Sequence, residues 1–140
     1  MTAVTPPDLE LWLTGYVRTR AAAAGHVVDV ANKEPETLKL PLVRPLIVIR
    51  DDSGARLSHV TFDRSIGASV LAGSKRNDQP ANDLARWLTA LLLDDAIALV
   101  EGGPIAAVAW DGSNGPYAVP ESLDVARRYL TVEYTVVGTW

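Results

Sequence analysis

Between Ser65 and Ala72 the side chains alternate: Ile66, Ala68, Val70 and Ala72 are apolar, and Ser65, Gly67 and Ser69 between them are small or polar. A period of two marks a strand with one buried face. After the polar stretch 73–79 the period changes. Leu84, Ala85, Leu88, Leu91 and Leu92 fall at i, i+1, i+4, i+7 and i+8, while Asp83, Arg86 and Thr89 point away, which predicts an amphipathic helix. Pro80 suits a first helical turn, where its missing N–H has no partner to lose, and Asn77 or Asp78 is available as N-cap. The leucine face of this helix needs a sheet to cover.

The same reading along the rest of the chain predicts the other elements. Thr5-Pro6-Pro7-Asp8 looks like a helix start, with a Thr cap, a proline in the first turn and an acidic residue three positions after the cap. Leu9, Trp12, Leu13, Tyr16, Val17 and Arg20 then share one face until Gly25 stops the helix, and this periodicity makes Trp12 and Tyr16 core residues rather than a ligand stack. A short strand is expected over 27–30. The stretch 31–41 has neither period and contains two prolines, so it reads as a long loop, either functional or a solvated excursion.

Next, the apolar run 46–50, a turn at Asp51-Asp52-Ser53-Gly54 and a returning strand 57–62 predict a hairpin, which with the strand 65–72 forms a three-stranded meander. Beyond the second helix, Glu101-Gly102-Gly103-Pro104 breaks the chain. The run 105–110 is apolar on both faces, as a covered strand is. Asp111-Gly112-Ser113-Asn114-Gly115-Pro116 is dense in turn formers, and 129–137 alternates with Leu130, Val132, Tyr134 and Val136 inward. The expected architecture is α+β, a mixed, largely antiparallel sheet of about five to six strands packed against two main helices.

Composition narrows the function classes. The 140 residues, 48% apolar and 21% charged, suit one globular domain spanning 1–140 rather than a disordered chain. A net charge of −4 argues against a surface built to grip nucleic acid, because neutralising a polyanion takes clustered Lys and Arg. The absence of cysteine removes disulfides, thiolate chemistry and zinc knuckles. Neither a secretory leader nor a membrane span is expected, since no basic region leads into an apolar run at the N-terminus and no apolar stretch is long enough to cross.

The candidate chemistry is sparse. His26 and His59 have no partner at metal-ligand spacing, and no nucleophile elbow, phosphate-binding loop or dinucleotide fingerprint is present. Asp51-Asp52 belongs to turn chemistry better than to a metal site, and Asp94-Asp95 reads as a solvated helical end. Lys75-Arg76 is the one compact basic pair in a loop leading into a helix. It suits either a contact with an acidic neighbour or phosphate, or plain solubility. No catalytic residue, metal or cofactor is assigned.

The order of elements, together with Ile47-Val48-Ile49-Arg50-Asp51-Asp52-Ser53-Gly54, Ala72-Gly73-Ser74, and Gly115-Pro116-Tyr117 ahead of Arg128-Tyr129, resembles the tail terminator proteins of long-tailed bacteriophages, especially those of actinobacterial hosts. The likeness runs over nearly the whole chain and rests on order and spacing rather than on one motif. Glu121 departs from the Asp expected after the Gly-Pro-Tyr turn. The resemblance implies a virion protein, assembled in the host cytoplasm, forming a ring, usually of six subunits. That ring caps the head-proximal end of the tail tube, ends its polymerisation and joins the head connector or stopper protein.

The implied partners are further copies of this chain, the major tail tube protein and the connector, with genomic DNA passing unbound through the lumen and no membrane involved. A head-closure or stopper protein is the nearest alternative, and a small ligand-binding or enzymatic domain a more distant one. The expected interface residues are Asp51, Asp52 and Arg56 at the hairpin, the long loop, and Lys75 and Arg76, which would pair with Asp51, Asp52 or Glu121 of a neighbour.

Overall fold

The structure, a computed structural model, describes residues 2–140. Two helices, α1 (Leu9–Ala23) and α2 (Gln79–Leu92), lie on one face of a five-stranded sheet. Its strands are β1 (Asp29–Ala31), β2 (Leu46–Asp51), β3 (Thr61–Ala72), β4 (Ile105–Val119) and β5 (Ala126–Val137), in the spatial order β1-β2-β3-β5-β4. All pairings are antiparallel except β1 with β2. The expected α+β class, mixed sheet and two main helices are therefore present, with five strands.

The core lies between helices and sheet. Ile47 and Ile49 of β2, Ile66, Ala68 and Val70 of β3, and Leu130, Val132, Tyr134 and Val136 of β5 meet Leu9, Leu13 and Val17 of α1 and Leu84, Ala85, Leu88 and Leu92 of α2. These are the alternating and helical faces the sequence displays. Gly25, at φ +81°, closes α1 as expected: its N–H and that of His26 donate to the carbonyls of Ala22 and Ala21, a pairing that satisfies the helix's last acceptors.

Four expectations are corrected. Helix α1 starts at Leu9, not after Thr5. Asp8 is its N-cap, accepting from the Leu11 N–H at 3.1 Å, because Thr5 is held in extended pairing with Thr139. The meander is one hairpin of two strands. Its reversal lies at 57–61, where Leu57 and Ser58 donate to the Thr61 carbonyl, while Asp51-Asp52-Ser53-Gly54 runs on alongside β3 as an irregular extension, with Asp52 N–H bonded to Ser65 and Ser65 N–H to Ser53.

The run 105–110 is not a covered strand. It belongs to the edge strand β4, in which Ala106, Ala107 and Trp110 are exposed. The turn-rich 111–116 stays inside β4 as a bulged stretch with register shifts against β5.

The long loop also has a structural cause. Neighbouring parallel strands require the chain to travel back along the strand length between them. No helix makes this crossover: the segment 32–45 does, as a strap on the face opposite the helices. There Leu38, Leu40 and Leu42 pack against Leu46, Val48, Leu71 and Val125.

Candidate assembly surfaces

The six charged residues expected at an interface do not converge: Arg56 pairs with Phe62 near the start of β3, Asp51 and Asp52 lie beside its middle at Ile66 and Ser65, and Lys75 lies just beyond its end at Ala72. Most already have partners in their own chain. Asp51 lies 3.6 Å from Arg64, and Asp52 takes the Arg50 guanidinium at 2.9 Å. Glu121 reaches Arg127 at 3.4 Å. Arg56 donates to the carbonyls of Ser58 and His59 and covers the Phe62 ring. Lys75 donates through its backbone to Asp124 at 3.1 Å and through Nζ to the Ser122 carbonyl at 3.2 Å. Arg76 is exposed and makes no hydrogen bond or ion pair among the described residues. Asp51 and Asp52 thus each face an arginine of their own chain, whereas Glu121 shares Arg127 with Glu34.

The strap is held by a residue that sequence reasoning passed over. Arg127 makes two parallel bonds to Glu34, at 2.7 and 3.0 Å, and sits between it and Glu121. The forked geometry suits a guanidinium and a carboxylate, and it holds the Arg127 charge above its ordinary pKa, with the Glu34 bond the largest cause. Beyond this latch, the Asn32 side chain reaches Glu10 at 3.0 Å and Arg44 reaches Asp29 at 3.2 Å. Among the described residues, 33–44 form no backbone–backbone hydrogen bond.

Beside the strap, the same face carries a second cluster. The Arg50 guanidinium lies 5.5 Å from the Tyr129 ring centre and 3.0 Å from its hydroxyl, and Tyr117 meets Tyr129 edge-on at 5.9 Å. Gly67 makes room for it, since a Cβ there would collide with the Tyr129 hydroxyl. Burial pushes that hydroxyl above its usual pKa against the opposing pull of Arg50. The arrangement offers aromatic and hydrogen-bonding surface. Neither histidine joins it: His26 packs on Trp87 at 4.6 Å, and no group of three His, Asp or Glu side chains able to hold a metal occurs among the described residues.

The two edges of the sheet differ. At β1 the edge is three residues long, and Arg18 of α1 donates to the Val30 carbonyl at 2.8 Å. At β4 the stretch Ile105-Ala106-Ala107-Val108-Ala109-Trp110 carries no charge and pairs only with β5, with a register shift between Ile105 and Ala107. Trp110 is 62% exposed although its indole N–H donates to the Leu93 carbonyl at 3.1 Å, and Leu99 of the neighbouring 3-10 helix Asp95–Leu99 is also exposed. On the helix side, Trp12 and Tyr16 stack at 5.1 Å and, half-buried, line an open groove with Leu11, Gly15 and Val100. They serve the core with one side and the surface with the other. No protein-family model matches the chain, and no curated protein matches it.

Proposed function

We propose that this chain is an assembly subunit, the tail terminator of a long-tailed phage. In this reading it forms a ring, hexameric as the resemblance implies, that caps the head-proximal end of the tail tube, ends its growth and presents a surface to the head connector. The observation that carries the reading is the β4 edge. Natural sheets shield such edges with charge, shortness or a covering element, because an open row of backbone donors and acceptors recruits other chains. The stretch 105–110 is uncharged and alanine-rich, with an irregularity between Ile105 and Ala107 and regular pairing from Ala107 to Ala109, while the β1 edge is three residues long and has its arginine.

Charge supports the lumen role. Arg44, Arg50, Arg64, Arg127 and Arg128 each lie within ion-pair distance of a carboxylate. With these arginines paired and a net charge of −4, the subunit gains little from counterion release on a duplex, so DNA can slide past it.

Deletion of the gene from the phage that encodes it, followed by negative-stain electron microscopy of the lysate, tests the reading. Overlong tails without heads are the expected result. Tails of normal length lying beside emptied capsids would move the protein to the head side of the joint as a stopper, and intact infectious particles would overturn both.

A further inference from the structure

The side chains at the two edges of the sheet carry opposite charge. On β4 and the 3-10 helix beside it, Asp94, Asp95, Glu101 and Asp111 are exposed, and no Lys or Arg occurs from Trp87 to Ala126. None of these four carboxylates lies within ion-pair distance of a cation among the described residues. On the β1 side the balance reverses. Arg18 reaches the Val30 carbonyl, and Lys33 and Lys39 are exposed and make no ion pair among the described residues. Asp29 and Glu34 are taken by Arg44 and Arg127, which leaves Glu36 as the exposed acid of the strap.

The apolar relief differs as well. Leu99 is 85% exposed and Trp110 stands out from β4, its indole N–H bonded to the Leu93 carbonyl, so the acidic edge presents two apolar projections. The β1 side presents hollows. One open groove of about 440 Å³ passes Ala22, Val27 and Val28, and another of about 300 Å³ passes Leu38, Leu42 and Val43. The paired Asp29 and Arg44 border both, and Val43 is 92% exposed. Open apolar surface at both edges is stabilised by mutual burial, and the charge around it decides which edge meets which. Two β4 edges brought together would set carboxylates against carboxylates, whereas β4 against β1 sets them against cations.

We propose that the β4 side of one copy docks on the β1 side of the next, with Leu99 and Trp110 entering the grooves beside Val27 and Val43 and the carboxylates around them facing Lys33 and Lys39. Side chains make this contact, and it needs no pairing of strands. β1 and β4 lie at opposite ends of the sheet, so the contact does not close within one copy. It joins different patches of successive copies, the heterologous relation that generates a ring when the rotation closes. The proposal rests on the ring reading and specifies the surfaces that ring would use.

Charge reversal tests the contact at exposed positions outside the core. One variant carries Asp95→Lys, Glu101→Lys and Asp111→Lys, which makes its β4 side basic like its β1 side. The other carries Lys33→Glu and Lys39→Glu, which makes its β1 side acidic like its β4 side. In light scattering at low salt, each alone should self-associate about tenfold more weakly than the unaltered chain, because charges at the rim now repel. An equimolar mixture should recover assembly, since alternating copies again set opposite charges together at every contact. Variants that assemble like the unaltered chain, or a mixture no stronger than its parts, overturn the proposal. Oligomers of the unaltered chain alongside either of those results reject this contact and keep the ring. An unaltered chain that stays monomeric at every concentration also rejects the contact, and the tail-length phenotype then judges the terminator reading alone.

Discussion

The two faces of the sheet are built on different principles. The helix face is continuous: strand and helix backbones are internally bonded, and the buried side chains of α1, α2, β2, β3 and β5 meet in one cluster. The opposite face is covered only in part, by a segment without backbone bonds whose leucines are half-buried and whose latch is an ion pair. Stability therefore concentrates on one face, and the capacity to open locally on the other. Proteins open locally where buried apolar contacts are few and backbone bonds absent.

The largest effect should come from the helix face. Leu88 is fully buried at the centre of α2, and Leu88→Ala should cost about 2–5 kcal/mol through lost transfer energy and the cavity left behind. Against a typical domain stability of about 5–15 kcal/mol, that is a large share. Leu88→Asp, which buries an unpaired charge, should abolish the cooperative melt followed by circular dichroism. Survival of a cooperative transition in Leu88→Asp would mean that this face is not where the stability lies.

Periodicity made that face legible and left the other obscure. The leucines of α2 and the alternation of β5 occur at the spacing that burial requires, so each element announces its inner side. By contrast, pairing direction is not a local property, and nothing in 27–50 says that β1 and β2 run parallel. That relation turns the loop into a crossover strap. The run 105–110 reads as a covered strand and is an edge for a related reason: an apolar stretch suits either position equally well. Asp51-Asp52-Ser53-Gly54 has turn chemistry but does not make the reversal. Ser53 takes the positive φ of 79°, and the chain turns beyond it at 57–61. The strap's latch joins residues 93 apart and the Arg50–Tyr129 contact residues 79 apart, distances over which a single sequence carries no pairing signal.

An intermediate effect should come from the deepest polar group of the helix face. The Tyr134 hydroxyl, fully buried, donates to the Leu92 carbonyl at 2.6 Å near the end of α2. Tyr134→Phe leaves that acceptor without its donor and should cost about 1–3 kcal/mol. Burial raises the Tyr134 pKa above its ordinary 10.0, with Tyr16 adding to the shift. As pH rises past that ordinary value, the unfolded state releases the proton and the native state keeps it, so stability falls. The contribution is fully present below the unfolded pKa, and Tyr134 accounts for a decline of about 1.4 kcal/mol per pH unit above it until the native group also ionises. Urea titrations on either side of pH 10.0 should show the steeper alkaline loss in the unaltered chain. Equal slopes in Tyr134→Phe would assign the loss to other groups.

The smallest effect should fall on the strap, and its smallness sharpens the contrast between the faces. Glu34→Gln removes one charge of the latch and leaves the Arg127–Glu121 pair in place. A partly exposed ion pair is worth about 1 kcal/mol or less, so the global melting temperature should barely move. Strap opening reads out a different free energy. Trypsin acting after Lys39, an exposed residue between two half-buried leucines, should nick Glu34→Gln up to about fivefold faster than the unaltered chain, the equivalent of about 1 kcal/mol in the opening equilibrium. If nicking and global unfolding shift together by the same free energy, the strap belongs to the cooperative core and the two faces are energetically one. Faster nicking with an unchanged melt shows a strap that detaches while the helix face stays folded.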